Sequence, residues 1–182
     1  MHPATPQQDS PHSAGNRLAR LAWSFVHAVL IRPSPRFMHR YRNLVYRAMG
    51  ARLHPTARIY PTARVWLPRH LTMAEHSCVG DLTDIYNVAP ITIGARSTVS
   101  HYSFLCAASH DFENPSQPLT VAPITLGENV WLAADVFVAP GVRIPDGVVV
   151  GARSSVFTSV LPPWHLCAGS PARPVRKREF KA

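Results

Sequence analysis

A chain of 182 residues can form one domain with a continuous core, with or without a small appendage, but it is too short for two full-sized domains. Its 46% hydrophobic and 16% charged residues exclude disorder for most of the length, and eighteen prolines against nine glycines exclude a long helical bundle in favour of many short segments and corners. The net charge of +9 points to an anionic partner without choosing among phosphate groups, nucleic acid and acidic lipid. Three widely spaced cysteines, Cys78, Cys106 and Cys167, lack a CxxC pair, which argues against a disulfide framework or a thiolate zinc site and fits a reducing cytosol.

Residues 1–15 are rich in Pro, Gln, Ser and His with no apolar period, and are expected to be a disordered tail. A helical lead-in is expected over 16–50. Leu18, Leu21, Ala22, Phe25, Val26, Val29 and Leu30 follow a helical period with Asn16 as cap, and Ser34-Pro35 opens a second helix that runs to Met49 and stops at Gly50. The apolar stretch Leu21 to Ile31 is too short to span a bilayer. Arg32-Pro33-Ser34-Pro35 stands where a signal peptide would need its small-residue cleavage site.

From 51 to 161 the pattern changes to a period of six. Leu53, Ile59, Val65 and Leu71 form one run and Met73, Val79, Ile85 and Ile91 a second. Ile93, Val99 and Leu105 form a third, and Leu126, Leu132, Val138, Ile144, Val150 and Val156 a fourth. The runs are offset by two-residue skips at Leu71-Thr72-Met73, Ile91-Thr92-Ile93 and Ile124-Thr125-Leu126, which look like adjustments at corners. Small or β-branched residues stand four positions after many of the aliphatic ones, among them Ala57, Ser77, Ser97, Ser103, Val130 and Ser154. A hexad is too short for a helix and too long for simple alternation. It fits a parallel β-helix, in which each hexad is a short strand plus a corner, three hexads make a triangular coil, and stacked coils bury a continuous aliphatic ladder.

The period breaks once, over 107–123, where seventeen residues carry Ser109-His110-Asp111 without a hexad. A long excursion from a rigid solenoid is usually functional. After Pro162-Pro163, residues 162–182 are expected to form a C-terminal cap and basic tail, including Arg176-Lys177-Arg178.

With these motifs the chain resembles the hexapeptide-repeat acyltransferases, and within them the colanic acid biosynthesis acetyltransferases, relatives of the galactoside and nodulation O-acetyltransferases. The resemblance covers roughly residues 16 to 180. It rests on the segments Tyr86-Asn87-Val88-Ala89-Pro90, Tyr102-Ser103-Phe104-Leu105-Cys106 leading to Ser109-His110-Asp111, Trp131-Leu132-Ala133-Ala134-Asp135, Val150-Gly151-Ala152-Arg153 and Ala168-Gly169-Ser170-Pro171-Ala172-Arg173. It implies an all-β fold, a left-handed parallel β-helix, assembled as a homotrimer with active sites between subunits. It also implies acetyl-CoA as donor and, as acceptor, a sugar hydroxyl on an exopolysaccharide precursor or lipid-linked glycan.

Moving an acetyl group from a thioester to an alcohol requires a base for the hydroxyl proton and donors for the developing oxyanion, and histidine suits the first role near neutral pH. By resemblance that base is His110. Asn87, Asp84, Asp111 and Trp131 are the corresponding candidates for acceptor contact. Asn87 is equally explained as a corner residue satisfying the backbone, Asp111 as a turn residue, and Trp131 as interface packing. The donor would lie along Ala133, Gly151 and Ala152, where small residues let a pantetheine arm approach the backbone, with Arg173 and Arg176 near its phosphates. His101 and Cys106 do not make a metal site, since the period accounts for them and no His/Cys cluster has zinc spacing.

A non-catalytic scaffold binding anionic lipid or nucleic acid is the alternative from another class, and the absence of interleaved aromatic and basic residues disfavours nucleic acid. An acyltransferase acting on an amino sugar or serine shares the same fold and base. The expected location is the cytoplasm, with peripheral contact at the inner membrane through 16–49 as an open alternative to docking of these helices on the β-helix.

Overall fold

The computed structural model describes residues 14–159 and 161–179. Most of the expected disordered tail, positions 1–13, lies outside the described residues, whereas Ala14 and Gly15 open the first helix, α1 (Ala14–Val26). Asn16 is therefore not the cap: it is buried inside the helix, and its Oδ1 accepts a hydrogen bond from the Arg69 guanidinium. The helix widens into a π turn over His27–Ile31, and the second helix, α2 (His39–Ala48), starts later than Ser34-Pro35 suggested. Pro33 and Pro35 supply no N–H to a helical ladder, and the carbonyls of Pro35 and Arg36 are taken by the Arg42 guanidinium at 2.7 and 2.6 Å.

The solenoid has three faces. The first stacks Arg52–Leu53, Leu71–Met73, Ile91–Ile93, Ile124–Leu126 and Arg143–Ile144. The second stacks Arg58–Ile59, Cys78–Val79, Thr98–Val99, Trp131–Leu132, Val149–Val150 and His165–Ala168, and the third Arg64–Val65, Asp84–Tyr86, Phe104–Cys106, Phe137–Val138 and Ser155–Val156. Within each face these strands pair in parallel, so hexads three apart in sequence lie one above another. All seventeen ladder residues are buried, none more than 5% exposed. The two-residue skips are not corners. They lie inside the three-residue strands of the first face, where Leu71, Ile91 and Ile124 point inward together with Met73, Ile93 and Leu126, and Thr72, Thr92 and Thr125 stack outward between them.

The small residues at the inner corners do more than save space. Ser97 Oγ donates to the Gly127 carbonyl at 2.7 Å and accepts from Val130 N–H at 2.9 Å, so a buried hydroxyl satisfies two backbone groups of the next coil. Ser103 repeats the device against Ala133 and Val136. Gly94 is required by close approach, because a Cβ there would overlap the Gly127 carbonyl above it.

At corresponding strand positions, successive coils hand N–H groups to carbonyls of the following coil: Arg58, Tyr60, Arg64 and Trp66 donate to Ser77, Val79, Thr83 and Ile85. The equivalent carbonyls of the first coil have no preceding coil to serve them. Four side chains of the lead-in do so instead. Asn43 Nδ2 donates to Ala57 at 2.6 Å, Arg42 Nε to Ile59 at 2.7 Å, His27 Nε2 to Ala63 at 3.1 Å and Trp23 Nε1 to Val65 at 2.7 Å. Trp23 and Tyr46 meet at a tilt, with ring centroids 4.9 Å apart, and join the core. At the other end Arg173–Lys177 pairs antiparallel with His165–Ala168, and the Arg178 guanidinium donates to the carbonyls of Asn129 and Gly147. Among the described residues no helix is long and apolar enough to cross a membrane.

Arg42 is fully buried, and burial lowers its affinity for a proton. It is held by carbonyls, the Ser34 hydroxyl and the His39 ring, with no carboxylate in hydrogen-bond contact among the described residues. Arg42→Ala is expected to destabilise the protein by roughly 3 kcal/mol, since the buried Ile59 carbonyl and the partly buried carbonyls of Pro35 and Arg36 lose their donor together, at about 1–3 kcal/mol for a fully buried one. A urea-unfolding midpoint equal to that of the unaltered protein would contradict this account of the cap.

Candidate active site

The excursion is a hairpin. Ala108–His110 pairs antiparallel with Leu119–Val121, and the chain re-enters the first face in register, Ile124 beside Ile91, as though the intervening residues were absent. His110 ends the outgoing strand and is exposed. Its Nδ1 lies 2.6 Å from the Gln117 carbonyl, which can only accept, so Nδ1 carries the proton and Nε2 presents a lone pair outward. Gln117 is held in the left-handed region at φ 44°, with its N–H donated to Asn114, which fixes the direction of that carbonyl. A backbone carbonyl, not Asp111, orients the imidazole. Asp111 turns away to accept the Glu113 N–H at 3.1 Å, the ordinary turn role.

Cys106 stands at the root of the hairpin. Its thiol donates to the Ala108 carbonyl at 3.0 Å, and burial pushes its pKa up, so it is held as the thiol.

The structure separates the remaining acceptor candidates. Asn87 is fully buried and clamps Leu67, accepting from its N–H at 3.0 Å and donating to its carbonyl at 2.8 Å. The acceptor-contact role expected for it does not fit this placement, because both amide atoms are committed to backbone. Asp84 is better placed. It is half-buried on the third face, 3.4 Å from Arg64, and burial raises its pKa against the lowering influence of Arg64. It lines a cavity of about 640 Å³ between α1 and the third face together with Arg20, Arg32, Arg64, Trp66 and Tyr86. His27, at the same cavity, has its pKa lowered by burial, with Arg32 and Arg64 adding to the effect. None of the helix residues here was a sequence candidate, because nothing in a helical period says which coil the helix will lie against.

Trp131 stands on the second face, half-exposed, with its indole N–H donated to Ser100 at 3.0 Å, beside a cavity of about 280 Å³ that Arg96, Asn129 and Arg178 also line. It does not share a corner with His110. The expected donor residues do form a continuous feature. Ala133 donates its N–H to Val150, Gly151 donates to Cys167, and Ala168 stacks so closely that a Cβ on Gly151 would lie 3.2 Å from its own. The column of small residues thus runs up the corner between the second and third faces, with Ala152 exposed in the turn beside it. Arg173 pairs directly with Ala168, which places its backbone at the end of the column, and Arg176 lies opposite Leu166 on the same exposed strand. His110 leaves the coil at the other edge of the third face. Among the described residues no group of three His, Cys, Asp or Glu side chains could hold a metal ion.

No protein-family model matches the chain. It is 43% identical over 164 residues, 90% of each chain, to a protein of Escherichia coli (strain K12) named as the colanic acid biosynthesis acetyltransferase WcaF. Among solved structures it resembles a hexapeptide-repeat acetyltransferase of Vibrio cholerae O1 biovar eltor complexed with acetyl coenzyme A, with a TM-score of 0.83 at 24% identity over 96% of this chain and 94% of that one. It also resembles a maltose O-acetyltransferase of Clostridium difficile 630, with a TM-score of 0.82 at 21% identity over 93% and 91%. The solenoid is the left-handed parallel β-helix of these proteins.

Proposed function

The chain belongs to the hexapeptide-repeat acetyltransferases, with the colanic acid biosynthesis acetyltransferase as a relative along nearly its whole length, and from that premise we propose that it moves an acetyl group from acetyl-CoA to a sugar hydroxyl of an exopolysaccharide precursor. The observation that carries the mechanism is the His110 contact to the Gln117 carbonyl, which leaves Nε2 free to take a proton. The sugar oxygen attacks the thioester carbonyl as Nε2 removes its hydrogen, and the imidazolium that forms is stabilised through Nδ1–H by the fixed carbonyl dipole. The tetrahedral intermediate then expels the CoA sulfur, which takes the proton back from His110. The pantetheine arm lies along Ala133, Gly151 and Ala152, with its phosphates toward Arg173 and Arg176.

This is direct attack, not a ping-pong reaction through Cys106, whose thiol is protonated and engaged. His110→Ala is expected to lower kcat/KM by roughly 10² to 10⁴ with the fold intact, the usual range for a general base, while Cys106→Ala keeps most activity. Neutralising Arg173 and Arg176 together should raise the KM for acetyl-CoA and blunt its salt dependence with kcat nearly unchanged. Parallel double-reciprocal lines, or an acetyl group trapped on Cys106, would overturn direct attack.

We propose a homotrimer, because His110 and the small-residue column stand at opposite edges of the third face, and a copy packed across that face can bring the two together. Beyond the α1 cavity that Trp66 and Tyr86 line, the face carries an aromatic ladder of Phe104, Phe137 and Phe157, with successive ring centroids 5.7 and 5.8 Å apart. Light scattering at micromolar concentration should give the mass of three chains; the mass of one would leave the site incomplete and count against this arrangement.

We place its work in the cytoplasm, at the inner membrane surface. Between Ser10 and Ala74 stand eleven arginines and no acidic residue. Leu18, Leu21 and Phe25 of α1 and Val29 of the π turn are at least half exposed while Trp23 is buried, so the helix both docks on the solenoid and offers apolar side chains outward. The protein is expected to sediment with vesicles containing anionic lipid and to lose that binding in Leu21→Glu/Phe25→Glu. Equal recovery of the variant and the unaltered protein with such vesicles would dispose of the membrane role.

A further inference from the structure

The cavity between α1 and the third face has a composition that acetyl transfer to a neutral sugar does not need. Three guanidinium groups, Arg20, Arg32 and Arg64, face one carboxylate, Asp84, which Arg64 already neutralises at 3.4 Å. Arg20 lies over the Trp66 ring, 3.8 Å from its centroid, and Trp66 in turn meets Tyr86 edge to face at 4.8 Å. Neither Arg20 nor Arg32 has a carboxylate within ion-pair distance among the described residues. The volume of about 640 Å³ lies within the range of small-molecule sites. Aromatic edges beside a carboxylate suit a sugar ring and its hydroxyls, while two unpaired guanidinium groups over the same space suit an anion.

The cavity also adjoins the catalytic hairpin. Tyr86 pairs in register with Cys106, and the Tyr86 carbonyl accepts the Ala107 N–H at 3.0 Å, at the point where the chain leaves the coil toward His110. His110 follows Cys106 by four residues, about 13 Å of extended strand. That separation lets the ring held in the cavity differ from the ring that is acetylated. We infer that the cavity is an acceptor subsite for an acidic sugar, a hexose unit bearing a carboxylate or a phosphate, whose anion sits between Arg20 and Arg32 while its hydroxyls meet Asp84. This rests on the chain being a sugar acetyltransferase and adds the charge class of its acceptor. The carboxylate and the phosphate are two sources of the same chemistry.

The test is calorimetric titration of the full-length protein, without donor, against glucuronic acid, glucose 1-phosphate and glucose at low ionic strength. The acidic probes are expected to bind at least tenfold more tightly than glucose, with affinity that falls as salt rises. A preference between the two acids names the source of the anion, and either supports the subsite. Arg20→Gln/Arg32→Gln should lose that advantage tenfold or more, with Arg20→Gln alone as the fallback if the double variant does not fold. Equal affinity for glucose and both acids, no binding by any probe, or unaltered acid affinity in the arginine variants would overturn the inference. Because no acetyl transfer is read, an inactive His110→Ala protein must bind the acids normally. Loss of the acetyltransferase reading would appear in turnover, and loss of the subsite in this titration.

Discussion

Along the strands of this solenoid, N–H groups are handed to carbonyls of the coil that follows, so at the first coil the carbonyls of Ala57, Ile59, Ala63 and Val65 have no earlier coil to supply their donors. In this protein that deficit is met by side chains: the indole of Trp23, the imidazole of His27, the guanidinium of Arg42 and the amide of Asn43 stand where the backbone of an earlier coil would be. An unmet buried carbonyl costs about as much as a lost hydrogen bond, and here four are exposed to that cost together. The helical lead-in is therefore part of the solenoid's hydrogen bonding. Its position over the first and second coils follows from it, and so does the cavity that Arg20 and Arg32 help to line. A helix docked only by apolar contact could slide, whereas one that must deliver four donors to four fixed carbonyls cannot.

The aliphatic ladder was legible because a hexad repeat has only one physical explanation that buries every sixth residue, and each residue so identified is inside. The two-residue skips were legible as regular events but not as to place, since a three-residue strand with both ends inward and a widened corner leave the same trace in sequence. Helix boundaries failed where prolines withhold an N–H and a buried arginine takes the carbonyls that a helical ladder would use. At the site, His110 stood out by its position in the only long break, but its partner could not. Gln117 contributes a carbonyl, which every residue has, and the signal lies in the turn that aims it. The same limit applies to Asn87. Its motif identifies a residue fixed in place, and only coordinates reveal that it is spent on Leu67.

The charges of the molecule are sorted along the solenoid axis. The lead-in and first coil carry arginines without acids, whereas later corners carry mixed pairs, as where Arg96 bridges Glu75 and Glu128 across three coils. Some of those early arginines are consumed structurally, Arg42 by carbonyls and Arg36 by Asp81. Arg69 is likewise engaged by Asn16 and Arg64 by Asp84, and the arginines that are left give one end of the stack a positive field. Anionic substrates would be drawn to that end, beside the root of the hairpin that bears His110.

The hairpin interrupts the coil without disturbing it. Ile91 pairs with Ile124, Thr92 with Thr125 and Ile93 with Leu126, and the inserted chain folds on itself through its own antiparallel pairing. Loop-closure entropy grows only slowly with length, so such an insertion can be lengthened, shortened or rewritten at little expense to the core. Changes between residues 107 and 123 can therefore reshape the surroundings of His110 while the ladder beneath, and the column of small residues built into it, stay in register.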